Sequence, residues 1–392
     1  MANAVIGQSG GPTSVINSSL VGVVEAARGS RKIDKVLGMR FGIEGFMEDL
    51  LVDLGDRSKG FLQRLRRTPS SALGSSRHKT TDADFPRILE VLKQHDIRYF
   101  FLIGGNDTMD TIHRVEEHCR REGYELFGVG IPKTVDNDLY GTDHTPGFPS
   151  AARCNLLSVM QAGLLARDMQ RVDKYVIYQS VGRDAGWLAA ATALARKREE
   201  EAPHLIYLPE RPFERERFLA DVEAAIARHN WVSIVCGEGL KYADGTPVSA
   251  SEVRDRFGNV EFGAMAGTSV ALNLHRMIAE SLGLRGEFQI TESLPMCAMD
   301  RAVEQDLEEA WQCGRRAVEL AEKGTSGVMV AIQRRSSVPY KAELGTVSLA
   351  EVAAKSKPMA QELINEAGNH VSEAFYEYMR PLVGELPEYA AL

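Results

Sequence analysis

The chain has 392 residues, 44% hydrophobic and 26% charged, the composition of a globular protein with a large core. A formal net charge of −8 leaves no basic footprint for nucleic acid, so any anion site has to be a local arrangement of Arg, Lys and backbone N–H groups. The opening MANAVIGQSGG lacks a basic region leading into a long apolar stretch, and no run is long enough to cross a bilayer, which predicts a soluble, cytoplasmic protein with small-molecule partners and no membrane or nucleic-acid partner.

In chain order, short apolar runs at Ala4 to Gly7, Tyr99 to Ile103, Phe127 to Ile131, Tyr175 to Tyr178, Leu205 to Leu208 and Val232 to Cys236 read as buried strands. Patterns with helical spacing follow most of them: Asp107 to Arg120, Ser150 to Ala166, Asp184 to Arg196 and Glu214 to His229. The alternation predicts an α/β fold of two doubly wound domains with mostly parallel sheets covered on both faces. The expected limits are 1–168 for an N-terminal domain and 169–335 for a second one, with 336–392 a loop-rich stretch followed by two helices, from Pro358 and from Val371, that pack back on the first domain. The cysteines, Cys119, Cys154, Cys236, Cys297 and Cys313, have neither paired nor CxxC spacing, as a reducing compartment leads one to expect.

Two segments carry most of the chemistry. GGNDT, Gly104 to Thr108, closes one apolar run, and PKTVDND, Pro132 to Asp138, closes the next. Ligands of an open parallel sheet bind beyond the carboxyl ends of its strands, so both loops face one crevice and together read as a phosphoryl-transfer site. In the first, glycine lets the backbone approach phosphate, Asp107 offers a hard oxygen suited to Mg²⁺, and Asn106 can add its amide. The plainer alternative is that Asn106 or Asp107 only caps the following helix. In the second, Lys133 can neutralise phosphate charge, Thr134 can donate a hydrogen bond, Asp136 is the candidate base and Asp138 can hold the metal or the local geometry. An Asn/Asp-rich turn is the plainer alternative there. Upstream, GQSGGPTSVINSS runs from strand into helix and could set Gly10 and Gly11 against phosphate, though a Gly-Gly turn serves equally as a tight connection and matches neither GxGxxG nor a P-loop. Further candidates are Arg77 in LGSSRHK, Arg183 in SVGRDAGW, Glu210 and Arg211 in LPERPF, and Glu238 in CGEGL. Arg183 and Glu238 stand out because each lies just past a buried-strand pattern.

Taken with TPSSALGSSR and the terminal NEAGNHVSEAFYEYMRPL, these segments resemble the phosphofructokinase family over nearly the whole chain, particularly its pyrophosphate-dependent bacterial branch. The resemblance implies an active site in the cleft between two domains, Mg²⁺ as cofactor and pyrophosphate as phosphoryl donor. ATP-using members read GGDGS in the first loop and carry Gly where Lys133 stands. Asp107 would crowd and repel a nucleotide's α-phosphate, whereas Lys133 supplies a cation to the shorter donor. The family's roles then fall as follows: Asp136 as general base, with Lys133 and Arg183 as catalytic contacts; Gly10, Gly11, Arg77, Gly105, Asn106, Thr108 and Thr134 on the donor; Asp107 on the metal; Asp138, Gly182 and Glu238 on the acceptor.

The chain departs from the family at LGLRGEFQITESLPMC, where members carry an Arg and then a Gln-Arg pair that grip the acceptor's 6-phosphate. By ungapped comparison the arginines fall on Glu287 and Met296 and the Gln on Pro295. Glu repels phosphate and Met offers only soft packing. Arg285 and Arg301 are the neighbouring substitutes, and Val181 replaces the Met of the family's MGR motif. The acceptor is therefore either fructose 6-phosphate, the family default, or an unphosphorylated sugar, polyol or other small alcohol. A catalytically silent phosphometabolite-binding subunit and an ATP-dependent kinase are further readings, disfavoured by the intact base and by Asp107 with Lys133. The resemblance also implies a homodimer or homotetramer, with Lys174 and Arg171 as candidates for contributing across the subunit contact.

Overall fold

The computed structural model describes residues 1–249 and 268–390. These form two compact units, the first from Met1–Ser150 with Met296–Lys357 and the second from Ala151–Pro295 with Pro358–Leu392. Their strands are β1 (Ala2–Gln8), β2 (Ile33–Met39), β3 (Leu51–Asp53), β4 (Ile97–Gly104), β5 (Phe127–Pro132), β6 (Tyr175–Ser180), β7 (Leu205–Tyr207), β8 (Val232–Gly237), β9 (Gly286–Ile290), β10 (Val328–Ser337) and β11 (Tyr340–Ser348). No described helix is long and apolar enough to cross a membrane.

The first unit holds a seven-stranded sheet in the order β11-β10-β5-β4-β1-β2-β3. Its inner pairs are parallel, and only the outermost pairs, β2 with β3 and β10 with β11, are antiparallel. Side chains alternate between two cores, as the twofold repeat of a strand requires. Ala4, Ile6, Phe101, Ile103, Val129 and Ile131 pack with Leu20, Val24, Ala317 and Ala321 on one face. Val5, Phe100 and Leu102 pack with Phe85, Ile112 and Leu349 on the other. Burial on both faces explains why β1, β4 and β5 read as unbroken apolar runs. Helices Ile16–Arg28 and Glu304–Glu322 cover the first face and touch backbone to backbone. A Cβ on Gly22 would lie 2.1 Å from the Trp311 carbonyl, and one on Gly314 2.1 Å from the Ser19 carbonyl.

The second unit holds a four-stranded, all-parallel sheet in the order β7-β8-β6-β9. Tyr175, Ile177, Val232 and Ile234 pack there with Phe218 and Leu274. At its edge β9 exposes Glu287 and Phe288, so GEFQI carries no apolar run that would announce a strand.

Several boundaries differ from expectation. The first division falls after Ser150 rather than at 168, and the chain crosses back into the first unit at Met296 rather than staying in the second to 335. Residues 336–392 do not form one piece packed on the first domain: those to Lys357 belong to the first unit and those from Pro358 to the second. The expected loop from Ser336 falls largely on β11, which pairs with β10 in a hairpin and whose alternating, half-exposed residues lack a continuous apolar signal. Of the two expected terminal helices, the one from Pro358 is only a single 3₁₀ turn, Gln361–Leu363, and the other is the short helix Glu373–Met379. The pattern from Asp184 begins as a turn and becomes helix only over Trp187–Ala191, followed by a 3₁₀ turn Thr192–Ala195.

Because the Gly314 contact meets backbone that cannot swing away, Gly314→Ala is expected to destabilise the protein by about 3 kcal/mol, read as a lowered urea midpoint with unchanged slope.

Candidate active site

The ladder between β1, β4 and β5 brings the predicted loops to one end of the first sheet. Gln8 pairs with Ile103 and Gly104 with Pro132, so the three strands finish nearly level. Ser9 N–H donates to the Ile103 carbonyl at 2.9 Å, and Lys133 N–H to the Gly104 carbonyl at 3.1 Å, carrying the register into the loops. Gly10 turns away with φ +74°, a left-handed conformation that favours glycine. Its N–H donates to the Ser76 carbonyl at 3.1 Å and its carbonyl accepts from Ser75 Oγ at 2.6 Å, which docks the segment carrying Arg77 onto the same loop.

Lys133 lies at the centre of this set. Its side chain is 4% exposed and Nζ donates to the Gly11 carbonyl at 2.6 Å. Burial lowers its pKa to about 8, opposed by the charges of Asp136 and Asp138 and reinforced by Arg77, so all four groups share one field. Thr134 Oγ1 accepts from the Asp136 N–H at 3.1 Å and shapes the turn that presents this half-buried carboxylate. Burial raises the pKa of Asp138, against N–H, Lys357, Lys133 and Thr134 interactions that favour its charge. Gly105 starts the helix Asn106–Arg121, where Thr108 is buried against Gly104 and the Asn106 Oδ1 is buried without a hydrogen-bond partner among the described residues. The Asp107 side chain, by contrast, is 78% exposed, with Lys79 Nζ at 3.6 Å.

The donor set suits Mg²⁺ bound through substrate. No cluster of three metal-ligating side chains occurs among the described residues. Mg²⁺ commonly takes one or two carboxylates and fills its remaining positions with phosphate oxygens and water, and the exposed carboxylate of Asp107 at a strand end meets that need.

Residues outside the expected site set hold this loop from beneath. Asn137 is fully buried with φ +56°, and its Oδ1 accepts from Thr145 N–H at 3.1 Å and Lys357 Nζ at 3.3 Å. Lys357 Nζ also donates to the Thr142 and Asp143 carbonyls at 3.0 and 2.8 Å. Beside Thr145 the fully buried His144 lies between two carboxylates, Nδ1 at 2.9 Å from Asp143 and Nε2 at 2.7 Å from Glu309. Arg334 and Tyr340 close the network on Asp143 and Glu309. An Asn between two Asp residues was a possible clue to the first; nothing marked Lys357 or His144.

In the second unit, Gly182 and Arg183 follow β6 with φ +142° and +34°. Both N–H groups donate to Glu238 Oε1, at 3.1 and 3.0 Å, from the segment after β8. The Glu238 N–H in turn reaches the Ser180 carbonyl at 3.1 Å. Burial raises the Glu238 pKa, those N–H groups oppose the rise, and the negative charge of Glu292, just past β9, adds to it. Tyr178 links Asn155 and Thr291 at 2.8 and 3.1 Å at the same carboxyl end. Arg183 and Glu238 therefore do meet. Arg285 does not join them: it precedes β9, at the amino end of the sheet, is 75% exposed, and pairs with Asp173 at 2.8 Å. Lys174, whose N–H donates to the Arg285 carbonyl, is at that end too. Arg301 belongs to the first unit, in the 3₁₀ turn Met299–Arg301 with Asp300 at 3.8 Å. Met296 is in the first unit as well, its Cε 2.6 Å from the place of a Cβ on Gly11.

Two α/β units with polar loops at the carboxyl ends of parallel strands, one of them holding a buried cation over a glycine pair, define an enzyme of phosphate chemistry. A family profile described as phosphofructokinase matches residues 3–292, and the chain belongs to that family. It is 40% identical to a pyrophosphate–fructose 6-phosphate 1-phosphotransferase of Methylococcus capsulatus, covering 100% of this chain and 96% of the relative. It is 34% identical to a sulfofructose kinase of Alkalicoccus urumqiensis, covering 88% and 87%. A solved pyrophosphate-dependent phosphofructokinase of Nitrosospira multiformis superposes with a TM-score of 0.89 at 37% identity, covering 99% of this chain and 94% of that one.

Burial disfavours a charged His144, but the hydrogen bonds and charges of Asp143 and Glu309 outweigh it and raise the pKa from 6.5 to about 9. A raised folded-state pKa gives stability that is complete below pH 6.5 and lost as pH rises through 9. The stability gap between wild type and His144→Gln, from urea titrations across that range, is expected to shrink as pH rises.

Proposed function

We propose that this protein catalyses Mg²⁺-dependent transfer of a phosphoryl group from pyrophosphate to a hydroxyl of fructose 6-phosphate. The observation that carries the donor reading is the buried Lys133 ammonium on the Gly11 carbonyl, with Arg77 in the same field and Asp107 exposed at the neighbouring strand end. A cation desolvated in this way interacts strongly with a compact, highly charged donor. Lys133 and the backbone at Gly10 and Gly11 bind the pyrophosphate, Arg77, Thr134 and Gly105 support it, and Asp107 holds the metal. Mg²⁺ held by Asp107 would supply positive charge against the charge that develops on the transferring group. Asp136 takes the proton of the acceptor hydroxyl. The freed oxygen attacks the terminal phosphorus, the bond to the bridging oxygen breaks, and orthophosphate leaves with that electron pair. Arg183 stabilises charge on the transferring group, and Glu238 orients the acceptor side. The names of the relatives agree with this donor and acceptor.

A second acceptor has a specific observation in its favour. The carboxyl end of β9 places Glu292 in the field of Glu238, so two carboxylates act on one another beside the Arg183 loop. That surrounding suits an uncharged sugar or polyol better than a second phosphate. Phosphorus-31 NMR with Mg²⁺ and pyrophosphate, run against fructose 6-phosphate and a panel of free sugars and polyols, decides between them. Turnover of fructose 6-phosphate supports the first reading, and turnover only of an unphosphorylated acceptor replaces it. Assembly as a homodimer or homotetramer is part of the same proposal and is read by analytical ultracentrifugation.

Asp136→Asn is expected to lower kcat about 10²- to 10⁴-fold while pyrophosphate still binds, as measured by calorimetry. The kcat/KM for pyrophosphate is expected to fall as pH rises above about 8, where Lys133 loses its charge. Replacing Asp107 and Lys133 together by Gly is expected to abolish use of pyrophosphate; unchanged use would refute the donor assignment.

A further inference from the structure

The six residues from Val181 to Gly186 carry Arg183 between β6 and the helix Trp187–Ala191. Their backbone is unusual, with Gly182 at φ +142°, Arg183 at φ +34° and a tight bond from Ala185 N–H to the Gly182 carbonyl at 2.7 Å. A non-glycine residue in the left-handed region persists only where its surroundings over-determine it. Glu238 supplies half of that constraint through its bonds to the Gly182 and Arg183 N–H groups. Gly239 supplies more, since a Cβ there would lie 1.6 Å from the Arg183 carbonyl.

The other half comes from a carboxylate with no part in the reaction described above. Glu210 follows β7, and its Oε1 accepts from Gly186 N–H at 2.8 Å and from Met359 N–H at 3.4 Å. Gly186 fits because it has no side chain: a Cβ would sit 2.5 Å from Glu210 Oε2. Pro209, next to Glu210, packs 3.1 Å from the place of a Cβ on Gly237, next to Glu238, so the two glutamates come from adjoining strand ends. Glu210 Oε2 is buried without a hydrogen-bond partner among the described residues. An oxygen left unpaired in the interior costs stability, and space-filling alone calls for an apolar side chain.

We propose that Glu210 is a positioning residue for Arg183: together with Glu238 it grips the two ends of the Val181–Gly186 loop and presents the guanidinium in one orientation. This rests on the phosphoryl-transfer reading, in which Arg183 touches the reacting group. Gly186 and Met359 both donate to the single oxygen Oε1, so the amide oxygen of a glutamine of the same shape keeps both bonds.

The test is a double-mutant cycle in the full-length protein, assayed with Mg²⁺, pyrophosphate and the acceptor identified by phosphorus-31 NMR, with thermal midpoints measured alongside. Arg183→Gln should lower kcat about 10²-fold, as loss of a transition-state contact does. Glu210→Ala should lower kcat about 10- to 100-fold with little change in KM for pyrophosphate, and Glu210→Gln should stay within about threefold of wild type. In the Arg183→Gln background Glu210→Ala should add no more than about a twofold loss, since its effect passes through the arginine. If the two losses multiply, or Glu210→Ala turns over normally, the proposal is overturned. If Arg183→Gln itself has no effect, the role given to Arg183 falls first, and the Glu210 proposal with it. Should Glu210→Ala fail to fold, Gly186→Ala disturbs the same end of the loop by pushing a Cβ toward Oε2, and must show the same non-additivity with Arg183→Gln.

Discussion

Three parallel strands that end level with one another are the constraint on which the first unit's chemistry depends. Because β1, β4 and β5 are held in register by their ladders, the residues within two positions of their ends, Gly10, Gly105 and Lys133, leave the sheet together. A slip of two residues in any ladder would shift one of them by about 7 Å, beyond the reach of a hydrogen bond. The packing that divides Ile6, Phe101 and Ile131 from Val5, Phe100 and Leu102 opposes a slip by one, because each side chain would turn from the core it fits into the other. The hydrophobic cores thereby set the alignment of polar groups that take no part in them.

On that frame the polar groups are bound more tightly to the protein than their roles alone require. Lys133 is tied to Gly11, Asn137 to Lys357, and His144 to two carboxylates. Glu238 uses one oxygen to hold two N–H groups. Each link trades side-chain freedom for a fixed direction, the form of preorganisation that phosphoryl transfer rewards, since that reaction needs positioning and charge far more than covalent help.

The amino-acid sequence made the central strands legible because burial on both faces writes itself as a continuous apolar run, and each such run ended on the loop that matters. It hid β2, whose Asp34 and Lys35 face solvent, and β9, an edge strand exposing Glu287 and Phe288. β11 alternates along a half-exposed edge and was hidden for a related reason, whereas β10 opens with the buried apolar run Val328 to Ile332, a signal of the same kind as that of the central strands. Arg285 illustrates the cost: without β9 in view there was no way to see that it stands at the amino end of the sheet, away from Arg183. Pairings such as Asn137 with Lys357, or Gly186 with Glu210, join residues too far apart in sequence for any local pattern to reveal. The glycines that enable them, Gly186 and Gly239, look like ordinary turn residues until their neighbours are known.

The three crossings of the chain between the two units bear on how the protein is made. Emerging from a ribosome, residues 1–150 lack one of the two helices that cover one face of their sheet, Glu304–Glu322, and the β10–β11 hairpin at its margin, all of which lie beyond Met296. The intervening unit is likewise unfinished until the segment from Pro358 appears. Neither can complete its core during most of synthesis, and the part of the first core that Ala317, Val318 and Ala321 close stays open meanwhile. A nascent chain of this design is exposed to aggregation longer than one whose domains are contiguous, and its demand on chaperones should be correspondingly high.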